Sequence, residues 1–134
     1  MWQPPTTAIR TRYSQPAHAL FQGSGIASYL GLSTNENQIT VTGVVNSCPG
    51  GFTNKNVEWL TAANGDTLML TGLHDVGCQT APGVVQGTGD WTVTGGTGRF
   101  AGATGQGTFV GGANFTNHTF WFQLTGTISA PGGD

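Results

Sequence analysis

The chain has 134 residues, 7% of them charged, and a formal net charge of -2, which suits one domain that hides roughly two thirds of its unfolded surface. So little charge excludes a solvated disordered chain and the basic face that nucleic acid needs. No run approaches the roughly 20 apolar residues of a membrane helix, so neither nucleic acid nor membrane is an expected partner.

Residues 1–17 hold Pro4, Pro5 and Pro16 and pattern as an extended arm, packed on the rest or mobile. The opening Met1-Trp2-Gln3 shows no basic stretch followed by an apolar one, so no signal peptide is visible. Residues 18–130 read as a single β-domain. Its strand-like runs are 18–32, 38–46, 56–62, 66–76, 84–94, 99–110 and 118–129. The first is interrupted at Gly23 and Gly25, and a bend there would raise seven strands to eight. Tight turns are expected at 33–37, at 63–66 around Asn64-Gly65, and at 95–98.

Alternation assigns faces. Ile39, Val41 and Val45 share one parity, as do Val57 with Trp59, and Val85 with Trp91 and Val93. In the fourth run Leu68 and Leu70 oppose Met69 and Leu73, and in the last Phe120 and Phe122 oppose Trp121. Both faces there need cover from the arm, a ligand or a second subunit. Short turns between successive runs imply a meander, and a glycine-rich sheet of this kind can close and lose its edges. The expected fold is therefore all-β, an up-and-down antiparallel β-barrel of seven or eight strands, with a Greek-key sandwich as the alternative.

In that meander the links at 47–55, 77–83 and 111–117 share one rim. Cys48 and Cys78 then lie at the same end and can form a bridge, the alternative being separate buried thiols. Two cysteines are too few for a structural zinc site, and a bridge favours a secreted or periplasmic protein. The same rim collects His18, Glu58, His74, Asp75 and His118. Parity places His74 with Leu68 and Leu70, and His118 with Phe120 and Phe122, which makes these two the catalytic candidates, as acid and base. His18, Trp59, Leu70, Trp91, Phe120 and Phe122 are the expected ligand-binding residues.

Glu58 opposes Val57 and Trp59 and faces solvent if those two fill the lumen, and Asp75 lies on the face of Met69 and Leu73, opposite His74, so the adjacent pair cannot both point into one cavity. Asp90 is expected on the exterior, and Arg99 in a structural role, tying carbonyls or a carboxylate. The histidines have no metal-ligand spacing, and no GxSxG, P-loop, dinucleotide fingerprint or HExxH occurs, so neither metal nor cofactor is expected. Asn114-Phe115-Thr116 and Asn117-His118-Thr119 are adjacent glycosylation acceptors on the rim.

The stretch Gly95-Gly96-Thr97-Gly98-Arg99-Phe100-Ala101-Gly102-Ala103-Thr104-Gly105 resembles the turn-and-strand signature of small β-barrels in the allene oxide cyclase-like and dirigent-like group. Tyr29-Leu30-Gly31, Thr61 to Asp66, and Phe122 to Ile128 resemble that group more loosely. The resemblance implies a calycin-type barrel with an apolar lumen for a hydrophobic small molecule, and a cofactor-free cyclase or isomerase. No position here matches a catalytic carboxylate of those families. The alternative is a non-catalytic secreted structural module or homo-oligomer.

Overall fold

A computed structural model describes the backbone of residues 7–12, 18–27 and 30–129, and the side chains of residue 30 and residues 33–129. Pro4, Pro5, Pro16 and Tyr29 lie outside the described residues. The chain is all-β, with strands β1 (Thr7–Arg12), β2 (His18–Ala27), β3 (Gly31–Val44), β4 (Phe52–Ala62), β5 (Thr67–Ala81), β6 (Val84–Gly96), β7 (Thr104–Asn114) and β8 (Thr119–Ser129). β3 to β8 form one continuous antiparallel sheet in which each strand pairs with the next. β2 extends it with ten paired residues from His18↔Thr40 to Ala27↔Gly31. β1 pairs with β2, and also with β8 through Thr7↔Phe120 and Ala8↔Thr119. Spatial order follows chain order with no crossover, which removes the Greek-key alternative among the described strands.

Two boundaries differ from expectation. Thr7–Arg12, read as part of the arm, is a strand, because its prolines flank the β-prone Thr-Ala-Ile-Arg-Thr-Arg run without entering it. Residues 33–37, read as a turn, lie in the middle of β3. Ser33, Asn35 and Asn37 are turn-forming types, yet all three are buried strand residues. Their inward face meets a polar interior, so hydrophobic alternation never marked the strand. β2 likewise runs through Gly23 and Gly25 without a break.

The sheet curls so that one face of β3 to β8 surrounds a common interior. One end is filled by Leu30, Leu60, Leu68, Leu70, Phe100, Leu124 and Ile128, all buried. Trp91 floors the remaining space. Its neighbours in register, Gly107 and Gly126, leave room for the indole, since a Cβ at Gly126 would stand 2.8 Å from the ring. The indole N–H donates to Thr108 O at 2.9 Å.

The filled end carries the turns read from sequence. Gly65 adopts φ 93, and Asn64 Oδ1 accepts from Asp66 N at 3.0 Å. At 95–98 the chain enters a 3-10 turn, Gly98–Phe100, instead of beginning a strand at Arg99. Thr97 N donates to Thr67 O at 2.8 Å, which ties this turn to the Asn64-Gly65 hairpin. Arg99 has the structural role expected of it. Its Nε lies 3.9 Å from Asp66 Oδ2, and its guanidinium sits 4.9 Å from the Phe100 ring centre.

The other end is braced covalently. Cys48 and Cys78 form a disulfide with a Cα–Cα distance of 5.7 Å, and Gln79 N donates to Pro49 O at 2.7 Å. The loop before β4 is thus clamped to β5.

Candidate functional site

Above Trp91 the interior is hollow. A cavity of about 140 Å³ opens between β3 and β8, with walls that include Ile39, Val41, Phe52, Phe109, Phe115 and Phe122. That is close to the roughly 150 Å³ of an apolar cavity able to hold a benzene-sized molecule. Phe120 and Phe122 are stacked with ring centres 6.1 Å apart, and Phe109 meets Phe122 at 6.3 Å. A smaller cavity of about 10 Å³ lies deeper, beside Glu58, Leu70 and Trp91.

The sheet places a polar band on this apolar shaft. Along β4 the inward positions run Phe52, Asn54, Asn56, Glu58, Leu60 and Ala62, so the strand changes from polar to apolar as it descends. In register, Asn37 faces Glu58 and Asn54 faces Asp75. Asp75 Oδ2 accepts a hydrogen bond from Asn56 Nδ2, whose own Oδ1 accepts from Asn37 Nδ2 at 3.4 Å. This connects the Asp75 carboxylate to the carboxamide that neighbours Glu58.

Both carboxyls are almost fully buried, Glu58 at 3% exposure and Asp75 at 2%, and Glu58 Oε1 and Asp75 Oδ1 have no hydrogen-bond partner. An unsatisfied buried carboxylate oxygen costs stability, so such atoms in a folded chain ask for a functional account. Burial pushes the Glu58 carboxyl well above its ordinary value, and the Asn37 and Asn35 side chains offset part of the rise. Burial likewise pushes Asp75 from 3.8 to about 6, with Asn56 opposing the rise and the Asp90 charge adding to it.

A bulge in β5 decides which residue enters the cavity. Asn54 pairs with Asp75 and Asn56 with Gly72, so Leu73 and His74 together oppose Lys55. Leu68, Leu70 and Gly72 are buried, Leu73 and His74 are both exposed, and Asp75 and Gly77 are buried again. The extra residue reverses parity and re-aims the strand. Glycines accept the carboxylate: a Cβ at Gly89 would collide with it, and one at Gly72 would stand 3.0 Å from Oδ2.

The expected catalytic pair is therefore corrected. His74 is exposed because of the bulge, and His118 is exposed in the β7–β8 turn with φ 58; neither lines a cavity. Among the described residues the buried titratable groups are Glu58 and Asp75, which parity sets opposite the expected inward side chains. Val57 and Trp59 are half-buried, and β4 points its polar residues inward instead, so Trp59 is no cavity wall. Leu70 and Trp91 border the small cavity, and Phe120 and Phe122 the large one, in line with their expected place. His18 pairs with Arg12 and Thr40 through its backbone, and its side chain lies outside the described residues. Asp90 is exposed, as expected, and it also borders the small cavity. Of the residues thought to need outer cover, Met69 is half-buried, while Leu73 and Trp121 remain exposed.

Among the described residues no group of three His, Cys, Asp or Glu side chains could hold a metal ion, and no helix is long and apolar enough to cross a membrane. The Cys48–Cys78 bond is compatible with an extracellular location. No protein-family model, curated protein or solved structure matches the chain.

Proposed function

We propose that the protein is a secreted or periplasmic small-molecule-binding β-barrel, closed at the β1–β8 seam, whose lumen receives an apolar ligand. The cavity of about 140 Å³ with the Asp75 carboxyl, whose Oδ1 has no hydrogen-bond partner, among its lining residues carries this reading. An apolar enclosure supplies the driving force for burial, while a lone polar atom fixes orientation. The Thr7↔Phe120 and Ala8↔Thr119 pairs support closure, and the resemblance of the Gly95–Gly105 stretch to allene oxide cyclase-like and dirigent-like barrels agrees with it.

Proton transfer to a bound molecule, as in a cofactor-free cyclisation or isomerisation, falls to Asp75. Its pKa of about 6 suits exchange near neutral pH. Titration with toluene, followed by backbone amide shifts, is expected to saturate at one molecule per chain. Ala113→Phe, which fills the cavity from β7, should abolish the shifts. Absence of saturable binding to the unsubstituted protein would remove the reading.

The competing reading, a non-catalytic module assembled through its outer face, has one observation in its favour. Val110 and Trp121 are 37% and 42% exposed, on the neighbouring strands β7 and β8. Sedimentation tests it: a concentration-dependent dimer that Trp121→Ser dissociates would support assembly, and a monomer would exclude it.

A further inference from the structure

Among the described side chains, charge at the cavity is one-sided. Asp75 borders it at 2% exposure, with Oδ2 held by Asn56 and Oδ1 unpartnered. Glu58 lies beneath it, beside the smaller cavity that Asp90 also borders. Among the described side chains, no Lys, Arg or His lines either space. Lys55 is exposed on β4, and Arg99 belongs to the opposite end of the sheet, against Asp66, while the side chains of Arg10, Arg12 and His18 lie outside the described residues. The remaining polar groups, Asn37, Asn54 and Asn56, are neutral carboxamides, and the walls are rich in aromatic rings, including Phe52, Phe109 and Phe122.

A carboxylate without a countercharge repels anionic ligands and attracts cations, and the low dielectric of an apolar enclosure magnifies that preference. Aromatic faces act in the same direction, because their quadrupoles attract ammonium groups. An N–H donor that reached the carboxylate would satisfy its buried, unpartnered Oδ1 through a charge-assisted hydrogen bond. A carboxylate ligand, fatty acids included, would stand next to Asp75 with no cation among the described side chains to neutralise it.

Building on the lumen-binding reading, we propose that the ligand class is a compact organic cation: a protonated amine on an aromatic or branched apolar body, with its N–H donated to Asp75 Oδ1. Asp75 is then the specificity-determining residue, and the phenyl walls select for size. At neutral pH the Asp75 carboxyl, with a pKa of about 6, is ionised and ready to pair. The cavity of about 140 Å³ limits the buried part of the ligand to about one ring.

Three probes of nearly equal shape separate the possibilities: 2-phenylethylamine, 2-phenylethanol and 3-phenylpropanoate, titrated calorimetrically into the whole chain about 1.5 pH units above the Asp75 pKa. The amine is expected to bind at least about tenfold tighter than the alcohol, which corresponds to about 1.4 kcal/mol, and the carboxylate to show no measurable binding. Asp75→Asn should bring the amine to within about threefold of the alcohol and leave the alcohol unchanged, a pattern that loss of packing would not produce. Equal binding of amine and alcohol, tight binding of the carboxylate, or an amine affinity insensitive to Asp75→Asn would each overturn the cation assignment and leave the lumen reading standing. Failure of all three probes, with toluene also failing, would overturn both. The comparison of probes on the unsubstituted protein needs no variant to fold.

Discussion

Asp75 holds its proton more tightly in the folded chain than in the unfolded one. Burial raises its carboxyl from 3.8 to about 6, helped by the charge of Asp90 on β6 and opposed by Asn56 on β4, the Asp90 main chain and the neighbouring His74. Between these values the native state binds the extra proton, so stability falls as pH rises through the window and the full penalty is present above it. The size is about 1–3 kcal/mol. Urea unfolding of Asp75→Asn should therefore show higher stability than the parent at neutral pH and a flatter profile between about pH 4 and about pH 6. Glu58, whose carboxyl is raised in the same direction, leaves a residual slope of the same sign. An unchanged profile would mean that Asp75 is solvated. Gly89→Ala tests the same site from the other strand. Its Cβ has no room beside the Asp75 carboxylate, so it should cost about 1–3 kcal/mol by overpacking and abolish the preference for amine over alcohol.

At the scale of elements, the turns and the bulge make separable claims. Gly65 and Gly98 both adopt left-handed φ, 93 and 57, but a Cβ at Gly65 meets nothing within 4 Å, whereas at Gly98 it meets the Asp66 carboxylate. Gly65→Ala should thus cost only the conformational penalty, about 1–2 kcal/mol. Gly98→Ala should cost more and also loosen Arg99 from Asp66, as chemical denaturation of the two variants would reveal. Deleting Leu73 removes the extra residue opposite Lys55 and restores strict alternation from Gly72 through His74 to Asp75. That variant should fold with a loss of about 0.5–3 kcal/mol and keep amine binding. Loss of binding would show that the bulge sets more than the parity of Asp75. The bulge also explains why His74 was misread. Period-two reasoning carries the face of Leu68 and Leu70 forward without interruption, and nothing in Thr71-Gly72-Leu73-His74 announces a doubled step.

For the molecule as a whole, the Cys48–Cys78 bond closes a separation of 30 residues at the open end, which in the chain-entropy account stabilises by about 3–4 kcal/mol. Replacing both cysteines by serine should lower stability by that order. Because Phe52 follows the clamped loop and its ring covers Gly77 beside the cavity, the replacement should also weaken amine binding more than a variant of equal stability loss at the filled end, such as Gly98→Ala. Equal losses of binding in the two would separate the disulfide from the mouth.

Local chemistry in the sequence was enough for the all-β class, the Asn64-Gly65 hairpin, the Gly95–Gly98 turn, the structural role of Arg99 and the placing of Cys48 and Cys78 at one end, while the bond between them is given by the fold. Each rests on backbone preferences or on connections between successive strands, which act over a few residues. Trp91 was legible as an interior residue because its strand alternates apolar with polar, whereas Leu70, Phe120 and Phe122 sit in runs that are apolar on both faces, and only the assembled sheet shows which face is inward. The polar band could not be read this way. Ser33, Asn35, Asn37, Asn54 and Glu58 lie inward on β3 and β4, where a hydrophobic rule assigns them to solvent or to a turn. Only the assembled sheet, which gives these side chains one another as neighbours and turns β5 at its bulge, decides that carboxylates and not imidazoles face the cavity.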